Sequence, residues 1–455
     1  PETEGGGRTA TGASKMRKRR PPMSCAEEIE ALKPSEAQKE GTRLGRFLRV
    51  LGPGVVTGAS DDDPSGIGTY AVAGSRLGYS VLWIALLTFP LMVAVQFTCA
   101  KISMVTGKGF ASVLRDHYPR TVLYPAVFIL LVANTLNAGA DIAAMADALK
   151  IFAPLPSSLL IPLFAILILG IQIFGAYPLV ARIFKWLSVS LLAYVGAAFL
   201  AKPDWDEVLR GTFIPSLNFD RDSLVILVGL LGTTISPYLF FWQGDMEVEE
   251  EIRRGRMTLK ERGGATDGEL RAAAVDVNLG MLFSNLGMYF IILATAATLY
   301  KSGINHITSA SDAAQALRPI AGEAAGALFA LGIVGTGLLA VPILTCSASY
   351  ALSEALGWRY GLNERPMAAK GFYGIIIVST LFGSLIDFIG INPIQALVWT
   401  AVLNGLIAPL LLLIILHVAN NRRLMGERKN GWLLNLLGWI TTLAMGGAAI
   451  ALFVS

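Results

Sequence analysis

Apolar runs long enough to cross a bilayer follow one another along most of this chain, and they restrict its possible folds more than any other feature. A helix needs about 20 apolar residues to cross the hydrocarbon core. Eleven such runs occur, at 51–77, 81–104, 121–149, 157–176, 179–201, 222–244, 274–300, 322–351, 368–388, 393–418 and 432–454. Because every backbone polar group in lipid needs an internal partner, these runs predict an all-α membrane protein of about eleven transmembrane helices.

The composition agrees with this class. Apolar residues make up 54% of the chain and charged residues only 15%, outside the usual range of soluble domains. The net charge of +4 is modest. Basic residues are therefore expected to face the headgroups of the lipid bilayer, and no nucleic-acid partner is predicted.

The distribution of Lys and Arg predicts the orientation in the membrane. With the amino terminus in the cytoplasm, only seven of the 37 basic residues fall outside, as the positive-inside rule requires. We therefore expect a multi-pass protein of the plasma (inner) membrane, with a cytoplasmic amino terminus and an extracellular carboxyl terminus. The polar and basic segment 1–44 predicts a mostly disordered cytoplasmic tail.

A charged and helix-breaking tetrapeptide, Asp63-Pro64-Ser65-Gly66, interrupts the first apolar run. A carboxylate at membrane depth is costly and usually marks an ion or substrate path. Pro64 removes a backbone donor and Gly66 loosens the helix, so carbonyl oxygens are freed that could coordinate a cation together with Asp63. The simpler alternative is that Asp63 only caps a helix that begins after it.

A second interruption, Thr233-Thr234-Ile235-Ser236-Pro237, lies in the sixth run. Thr233, Thr234 and Ser236 offer oxygen atoms, which suit hard cations, although Pro237 alone could simply kink the helix. Two broken helices in corresponding places indicate a transporter with inverted repeats. The predicted organisation is a first repeat at 45–201, an extracellular loop at 202–221, a second repeat at 222–418 and a last span at 432–454.

Other polar residues have less specific interpretations. Three successive carboxylates cannot all point into one pocket, so we expect Asp61, Asp62 or both to face an aqueous vestibule. Polar side chains elsewhere within the spans are expected mainly to join helices by hydrogen bonds. They are Asn134, Asn137, Asp141, Asn278 and Asn285.

Acidic residues collect near both predicted mouths of the bundle. They could concentrate cations, but the simpler interpretation is a pair of solvated loops. The outer set is Asp204, Asp206, Glu207, Asp220 and Asp222, and the inner set is Asp245, Glu247, Glu249, Glu250 and Glu251.

The two interruptions carry a family resemblance. Gly52-Pro53-Gly54 precedes Asp63-Pro64, and Leu231-Gly232 precedes Ser236-Pro237. On these motifs the chain resembles the Nramp divalent-metal transporters, over roughly 45–420. The resemblance implies a LeuT-type fold of two inverted five-helix repeats, here with one extra C-terminal helix and with helices 1 and 6 broken.

The resemblance also extends the predicted metal site. Gly66 stands where the family has a coordinating asparagine, and Asn404 lies in the tenth helix, which contributes polar groups in the family. No cofactor is implied, since Mg2+ or Mn2+ would be the transported substrate, and we expect a monomer. The predicted metal ligands are Asp63, Gly66, Thr233, Thr234, Ser236 and Asn404.

Departures from the family pattern suggest which ion is carried. Ser236 replaces the methionine whose soft thioether favours transition metals. Gly66 removes a bulky side chain, and the added room fits Mg2+, which dehydrates reluctantly and keeps several waters. These features resemble the branch described as Nramp-related magnesium transporters.

Proton coupling is also predicted to be absent. Tyr238 replaces a family histidine, and Ala144 replaces a relay glutamate. His117, His306 and His417 are all expected in loops or at a span end. Uncoupled uptake is the resulting prediction, with a proton-coupled Mn2+ or Fe2+ carrier as the nearest alternative.

Two further alternatives have weaker support. A carrier of organic substrates on the same fold, such as an amino-acid carrier, would be disfavoured because the fixed negative charge of Asp63 repels a substrate carboxylate. An intramembrane aspartyl protease could use Asp63 and Asp141 as a catalytic pair. The Gly-x-Gly-Asp signature expected for such a protease is missing, so we predict that the protein is not an enzyme.

Overall fold

The computed structural model describes residues 52–152, 155–174, 192–216, 220–307, 309–314, 322, 325–362, 364–386 and 390–454. The predicted tail at 1–44 and much of the predicted fifth span lie outside these ranges.

The secondary structure within the described ranges is helical. The α-helices are α1 (Pro53–Asp61), α2 (Pro64–Leu77), α3 (Trp83–Thr106), α4 (Phe110–His117), α5 (Arg120–Leu149), α6 (Ser157–Phe174), α7 (Leu192–Leu200), α8 (Trp205–Phe213), α9 (Arg221–Thr234), α10 (Pro237–Arg253), α11 (Leu259–Arg262), α12 (Asp267–Thr295), α13 (Ala310–Ala314), α14 (Ala325–Leu356), α15 (Lys370–Ile386), α16 (Pro393–Asn420), α17 (Arg422–Met425) and α18 (Trp432–Val454).

The long helices have the length and composition of membrane spans. Among the described residues, 8 candidate spans meet both criteria, the α9–α10 pair counting as one, and α15 is a shorter apolar helix. Large side chains such as Phe128, Ile166 and Trp399 are 65%, 68% and 73% exposed. Such an apolar outer surface is what lipid would cover. The membrane-protein class is confirmed, whereas the number eleven stays a prediction.

Proline residues place the two helix breaks. α1 ends at Asp61 and α2 begins at Pro64, while α9 ends at Thr234 and α10 begins at Pro237. Proline is favoured at the first position of a helix because its missing N–H would have no intrahelical acceptor there. The two predicted interruptions are therefore confirmed as real breaks in the backbone.

The two broken helices pack in a crossed manner. α1 contacts α10, and α2 contacts α9, so the first half of each broken helix lies beside the second half of the other. α12 packs along both α1 and α2, and α16 packs against both α2 and α9. This arrangement brings the two breaks together in the interior, as two inverted repeats predict.

A close backbone approach positions α1 against α12. A Cβ added at Gly58 would lie 2.1 Å from the carbonyl oxygen of Gly280, and one added at Gly280 would lie 2.0 Å from that of Gly54. Small residues permit this kind of helix contact in membranes. Asp276 of α12 also accepts hydrogen bonds from the amides of Gly52 and Gly54, at 2.8 and 2.6 Å.

Replacing Gly58 by alanine should prevent the normal packing of α1. The added methyl group would meet backbone atoms of Gly280 that cannot move aside as a side chain could. We expect the yield of monodisperse protein in gel filtration to fall severalfold. Gly447→Ala is the matched control, because nothing lies within 4 Å of a Cβ at that position. Equal yields from the two variants would contradict this account of the α1–α12 contact.

Candidate metal-binding site

Asp63 lies in the first break and is 2% exposed. Its Oδ1 accepts hydrogen bonds from the Gly66 amide and the Ser65 hydroxyl, both at 2.7 Å. Asp63 is thus the N-cap of α2, as the simpler interpretation predicted. Its second oxygen, Oδ2, points elsewhere and accepts a hydrogen bond from Asn137 Nδ2 at 3.1 Å. Capping therefore accounts for one carboxylate oxygen only.

α5 contributes two residues to the surroundings of Asp63 that were expected mainly to join helices by hydrogen bonds. Asn137 contacts Asp63 directly, and Asp141 Oδ1 accepts a hydrogen bond from the Ser65 amide at 3.1 Å. Both are fully buried, and each has a side-chain oxygen with no hydrogen-bond partner. The signal was present, because Asn134, Asn137 and Asp141 follow the i, i+3, i+7 spacing of one helix face.

The second break presents three hydroxyl groups. Thr233, Thr234 and Ser236 are each at most 2% exposed. Their hydroxyls donate to carbonyl oxygens of α9, and the shortest of these bonds joins Ser236 Oγ to Thr233 O at 2.6 Å. Because each hydrogen is used in this way, the hydroxyl oxygen keeps its lone pairs for another partner.

Tyr70 connects the region of Gly66 to the second break. A Cβ added at Gly66 would lie 3.3 Å from the Tyr70 hydroxyl and 3.4 Å from the carbonyl oxygen of Asp61. The Tyr70 hydroxyl interacts with Thr233 without reaching good hydrogen-bond geometry. The room predicted at Gly66 is therefore not found on this side, because the Tyr70 ring and the Asp61 carbonyl would already crowd a Cβ.

Asn404 is buried in α16, with 2% of its surface exposed and its Oδ1 without a hydrogen-bond partner. It lies between Ala401 and Gly405, which contact α9 so closely that a Cβ at Gly232 would be 2.1 Å from Ala401 O. No hydrogen bond joins Asn404 to Asp63 or to the hydroxyls of the second break among the described residues.

Tyr238 ties the two broken helices together. Its hydroxyl donates to the carbonyl oxygen of Ser60, near the end of α1, at 2.8 Å. The hydroxyl of Ser347 in α14 donates to the carbonyl oxygen of Tyr238, also at 2.8 Å. A tyrosine here therefore acts as a fixed link between α10 and α1.

The expectation for Asp61 and Asp62 was wrong. Both side chains are completely buried rather than facing an aqueous vestibule. Ser284 of α12 donates to Asp61 Oδ2 at 2.6 Å and lies 3.4 Å from Asp62 Oδ1, while Gly287 leaves space for Asp62. The sequence did not reveal this because the packing of α12 on the break decides which way the side chains point.

The solvated-loop interpretation was also wrong for most of the inner acidic set. Four of its members are buried side chains of α10, whereas Glu250 is partly exposed. The outer set is exposed, and two of its members, Asp204 and Asp220, cap α8 and α9. The four buried residues are Asp245, Glu247, Glu249 and Glu251.

The remaining polar residues differ in what they contact. Asn134 and Asn285 do join helices, through Leu344 O and Thr88 Oγ1. Within the described part of the chain, Asn278 bonds only to Ala274 O of its own helix, so the expectation was wrong for that residue. His117, His306 and His417 lie at a helix end, in a loop and in the last turn of α16, as predicted.

The side-chain atoms around the breaks that could coordinate a metal ion are all oxygens, since amide nitrogens do not serve as ligands. The described part of the chain holds no cluster of three or more His, Cys, Asp or Glu side chains suited to a metal ion. A metal bound here would therefore rely on Asp63 with hydroxyl and carbonyl oxygens. Such a set suits hard divalent cations that retain water.

These features define a polytopic membrane transporter with two broken helices that cross in the interior. The Nramp family, described as natural resistance-associated macrophage protein-like, matches residues 54–455. The chain belongs to this family.

Proteins of similar sequence agree with the assignment. The divalent metal cation transporter MntH of Bacillus subtilis is 25% identical over 90% of this chain and 92% of its own length. MntH of Brucella suis is 26% identical over 90% and 88%. Because these relatives are named as transporters, the chain is grouped with transporters and not with enzymes.

Solved structures confirm the fold. A manganese transporter of Eremococcus coleocola superposes with a TM-score of 0.70 at 17% identity, covering 90% of this chain and 87% of that one. Mhp1, a nucleobase-cation-symport-1 family transporter, superposes with a TM-score of 0.59 at 13% identity, covering 88% and 92%. The predicted LeuT-type architecture with inverted repeats is thereby confirmed.

Proposed function

We propose that this protein transports divalent metal cations across the membrane, with Mg2+ as the preferred ion, Mn2+ as a second one, and no coupling to protons. The observation that carries the proposal is the crossing of two broken helices around a buried aspartate. A half-unwound helix at membrane depth exposes backbone oxygens where an ion can bind. The family relatives named as divalent metal cation transporters support the class of cargo.

The proposed ligands come from both breaks. Asp63 supplies the one carboxylate, and Gly66 lies in the same break, next to the Tyr70 hydroxyl and the carbonyl oxygen of Asp61. The proposed remaining ligands are Thr233, Thr234, Ser236 and Asn404, whose buried oxygen atoms have lone pairs available. Asn137 and Asp141 hold Asp63 and the start of α2 in place from α5.

The preference for Mg2+ is inferred from what the site lacks. Ser236 places a hydroxyl where the family carries a thioether, so the soft ligand that distinguishes transition metals is missing. Mg2+ is commonly held by one or two carboxylates while it keeps several waters. Oxygen donors beside Asp63, the one carboxylate among the proposed ligands, match that description.

Uncoupled transport is inferred from the proton carriers that are missing. Tyr238 and Ala144 stand where the family has a histidine and a glutamate, and the three histidines lie elsewhere. The membrane potential offers a divalent cation about 4.6 kcal/mol per 100 mV, twice the single-charge value. Uptake without a second driving ion is therefore energetically possible.

A proton-coupled Mn2+ carrier is the second candidate. One relative in structure is named as a manganese transporter. Asp141 favours this candidate too, because its Oδ2 is buried without a partner and could hold a proton.

Influx into proteoliposomes separates the two candidates. We expect Mg2+ entry, followed with an entrapped magnesium dye, when a negative internal potential is imposed, and no internal acidification on a pH dye. Mn2+ entry with acidification and without Mg2+ entry would favour the second candidate. No flux of either ion would contradict both and would reopen the organic-substrate alternative.

A further inference from the structure

A group of buried carboxyl groups lies along α10, away from the two breaks. Asp245 follows Pro237 by eight residues, about 12 Å along a helix. Its side chain is 2% exposed, and neither carboxylate oxygen has a hydrogen-bond partner. Burying an ionised group without a partner is strongly unfavourable, so Asp245 requires a cation or a proton.

Glu354 of α14 reaches the same point as Asp245. The two side chains meet beside Gly109, which precedes α4. A Cβ added at Gly109 would lie 2.0 Å from Glu354 Oε1 and 2.3 Å from Asp245 Oδ1. Two oxygens from different helices thus converge on one spot, where two ionised carboxylates would repel each other.

The surrounding donors distinguish the two carboxyl groups. Glu354 Oε2 accepts a hydrogen bond from the Ser112 amide at 2.9 Å, in the first turn of α4. The amino end of a helix favours a negative charge, so Glu354 is stabilised as the anion. Arg115 donates to the backbone carbonyl of Glu354 instead of its carboxylate. None of the described residues donates a hydrogen bond to Asp245, so its carboxyl group is the one of the two that carries a proton.

Other titratable groups face the pair. Glu249 lies one turn beyond Asp245 and accepts a hydrogen bond from the Tyr350 hydroxyl at 2.6 Å. Tyr360, in the loop after α14, has its hydroxyl 3.5 Å from Ser112 Oγ. Burial and the nearby Glu354 charge raise the pKa of the Tyr360 hydroxyl, so it remains protonated. Among the described residues, no ion pair includes Asp245 or Glu354.

We propose that Asp245 and Glu354 form a proton-binding site, in which one proton bridges the two carboxyl groups and joins α10 to α14. The proton resides on Asp245 and is donated to Glu354 Oε1. A metal ion fits less well, because the nearby Glu249 is engaged by the Tyr350 hydroxyl, and the described residues hold no group of three His, Cys, Asp or Glu side chains suited to a metal ion. When the proton leaves, two like charges face each other and the contact between α10 and α14 weakens. The proposal is independent of the transported ion.

Infrared difference spectroscopy on the purified protein tests for the shared proton. A protonated carboxyl group has a carbonyl stretching band that a carboxylate lacks. We expect Asp245→Asn and Glu354→Gln each to lose one such band, because either amide can donate the hydrogen bond in place of the proton. The double variant should lose no more than each single variant. An undiminished band in both single variants, or a second band lost in the double variant, would overturn the proposal.

Thermal stability against pH gives a second test. Free carboxyl groups lose their protons near about pH 4. Between that pH and the higher pH at which the folded pair releases its proton, folding takes up the shared proton. The free energy of unfolding therefore declines as pH rises through this window, by at most about tenfold per pH unit in the folding equilibrium. Asp245→Asn and Glu354→Gln should flatten the profile by that amount. Glu250→Gln, on the exposed side of α10, should follow the wild type, and equal profiles for all four proteins would contradict the proposal.

Discussion

Replacing Asp63 by asparagine should abolish divalent-metal transport while the protein still folds. Asparagine is as good a helix cap as aspartate, so the bonds from Gly66 and Ser65 can persist. The change removes the negative charge that would face the ion. A carboxylate contact with a divalent cation is worth several kcal/mol, and each 1.4 kcal/mol is tenfold. We therefore expect a loss of about 100-fold or more in the initial rate of Mg2+ influx.

Asp204→Asn is the matched control for this experiment. Asp204 is also the N-cap of a helix, α8, but it is exposed. This variant should transport at the wild-type rate. The thermal stability of Asp63→Asn should be measured alongside, so that lost flux is not confused with misfolding. Wild-type flux from a well-folded Asp63→Asn protein would contradict the proposed role of Asp63.

Replacing Ser236 by methionine should shift the ion preference from Mg2+ towards Mn2+. Ser236 is the N-cap position of α10 at the second break, and its hydroxyl donates to the carbonyl oxygens of Gly232 and Thr233. A thioether at this point adds a soft ligand, which binds Mn2+ better than Mg2+. We expect the ratio of Mn2+ to Mg2+ influx to rise about tenfold, corresponding to about 1.4 kcal/mol.

Ser236→Leu separates the effect of sulfur from that of size. Leucine has a similar volume but no ligand atom, so it should lower the influx of both ions without changing their ratio. Competition between Mn2+ and Mg2+ in proteoliposomes measures the ratio directly. An unchanged ratio in Ser236→Met, or the same shift in Ser236→Leu, would show that a missing soft ligand does not explain the selectivity.

The local chemistry of the breaks was predictable from the sequence. Pro64 and Pro237 each begin a helix as expected, because proline cannot continue the hydrogen-bond ladder of the preceding one. The apolar runs predicted the class, since lipid leaves few alternatives to helices. The motifs around Asp63 and Ser236 predicted the family. These signals are local, and each depends on a few neighbouring residues.

Side-chain orientation around the site was not predictable in the same way. Asp61, Asp62 and Asp63 are adjacent in the chain, yet Asp63 contacts Asn137 of α5 whereas Asp61 contacts Ser284 of α12. The turn can point its carboxylates in several directions of similar local energy. Packing against α5 and α12 selects one of them, and those helices lie far away in sequence.

The sequence by itself thus determined the membrane class, the family and the positions of the two breaks, because bilayer thickness and proline geometry act on short segments. Only the tertiary structure decided which carboxyl groups are buried and what they meet. Asp245 and Glu354 illustrate this, since nothing in either segment indicates that their oxygens converge beside Gly109. The cost of burying a charge depends on partners brought together by folding, and that cost is set by the packed helices rather than by neighbours in the chain.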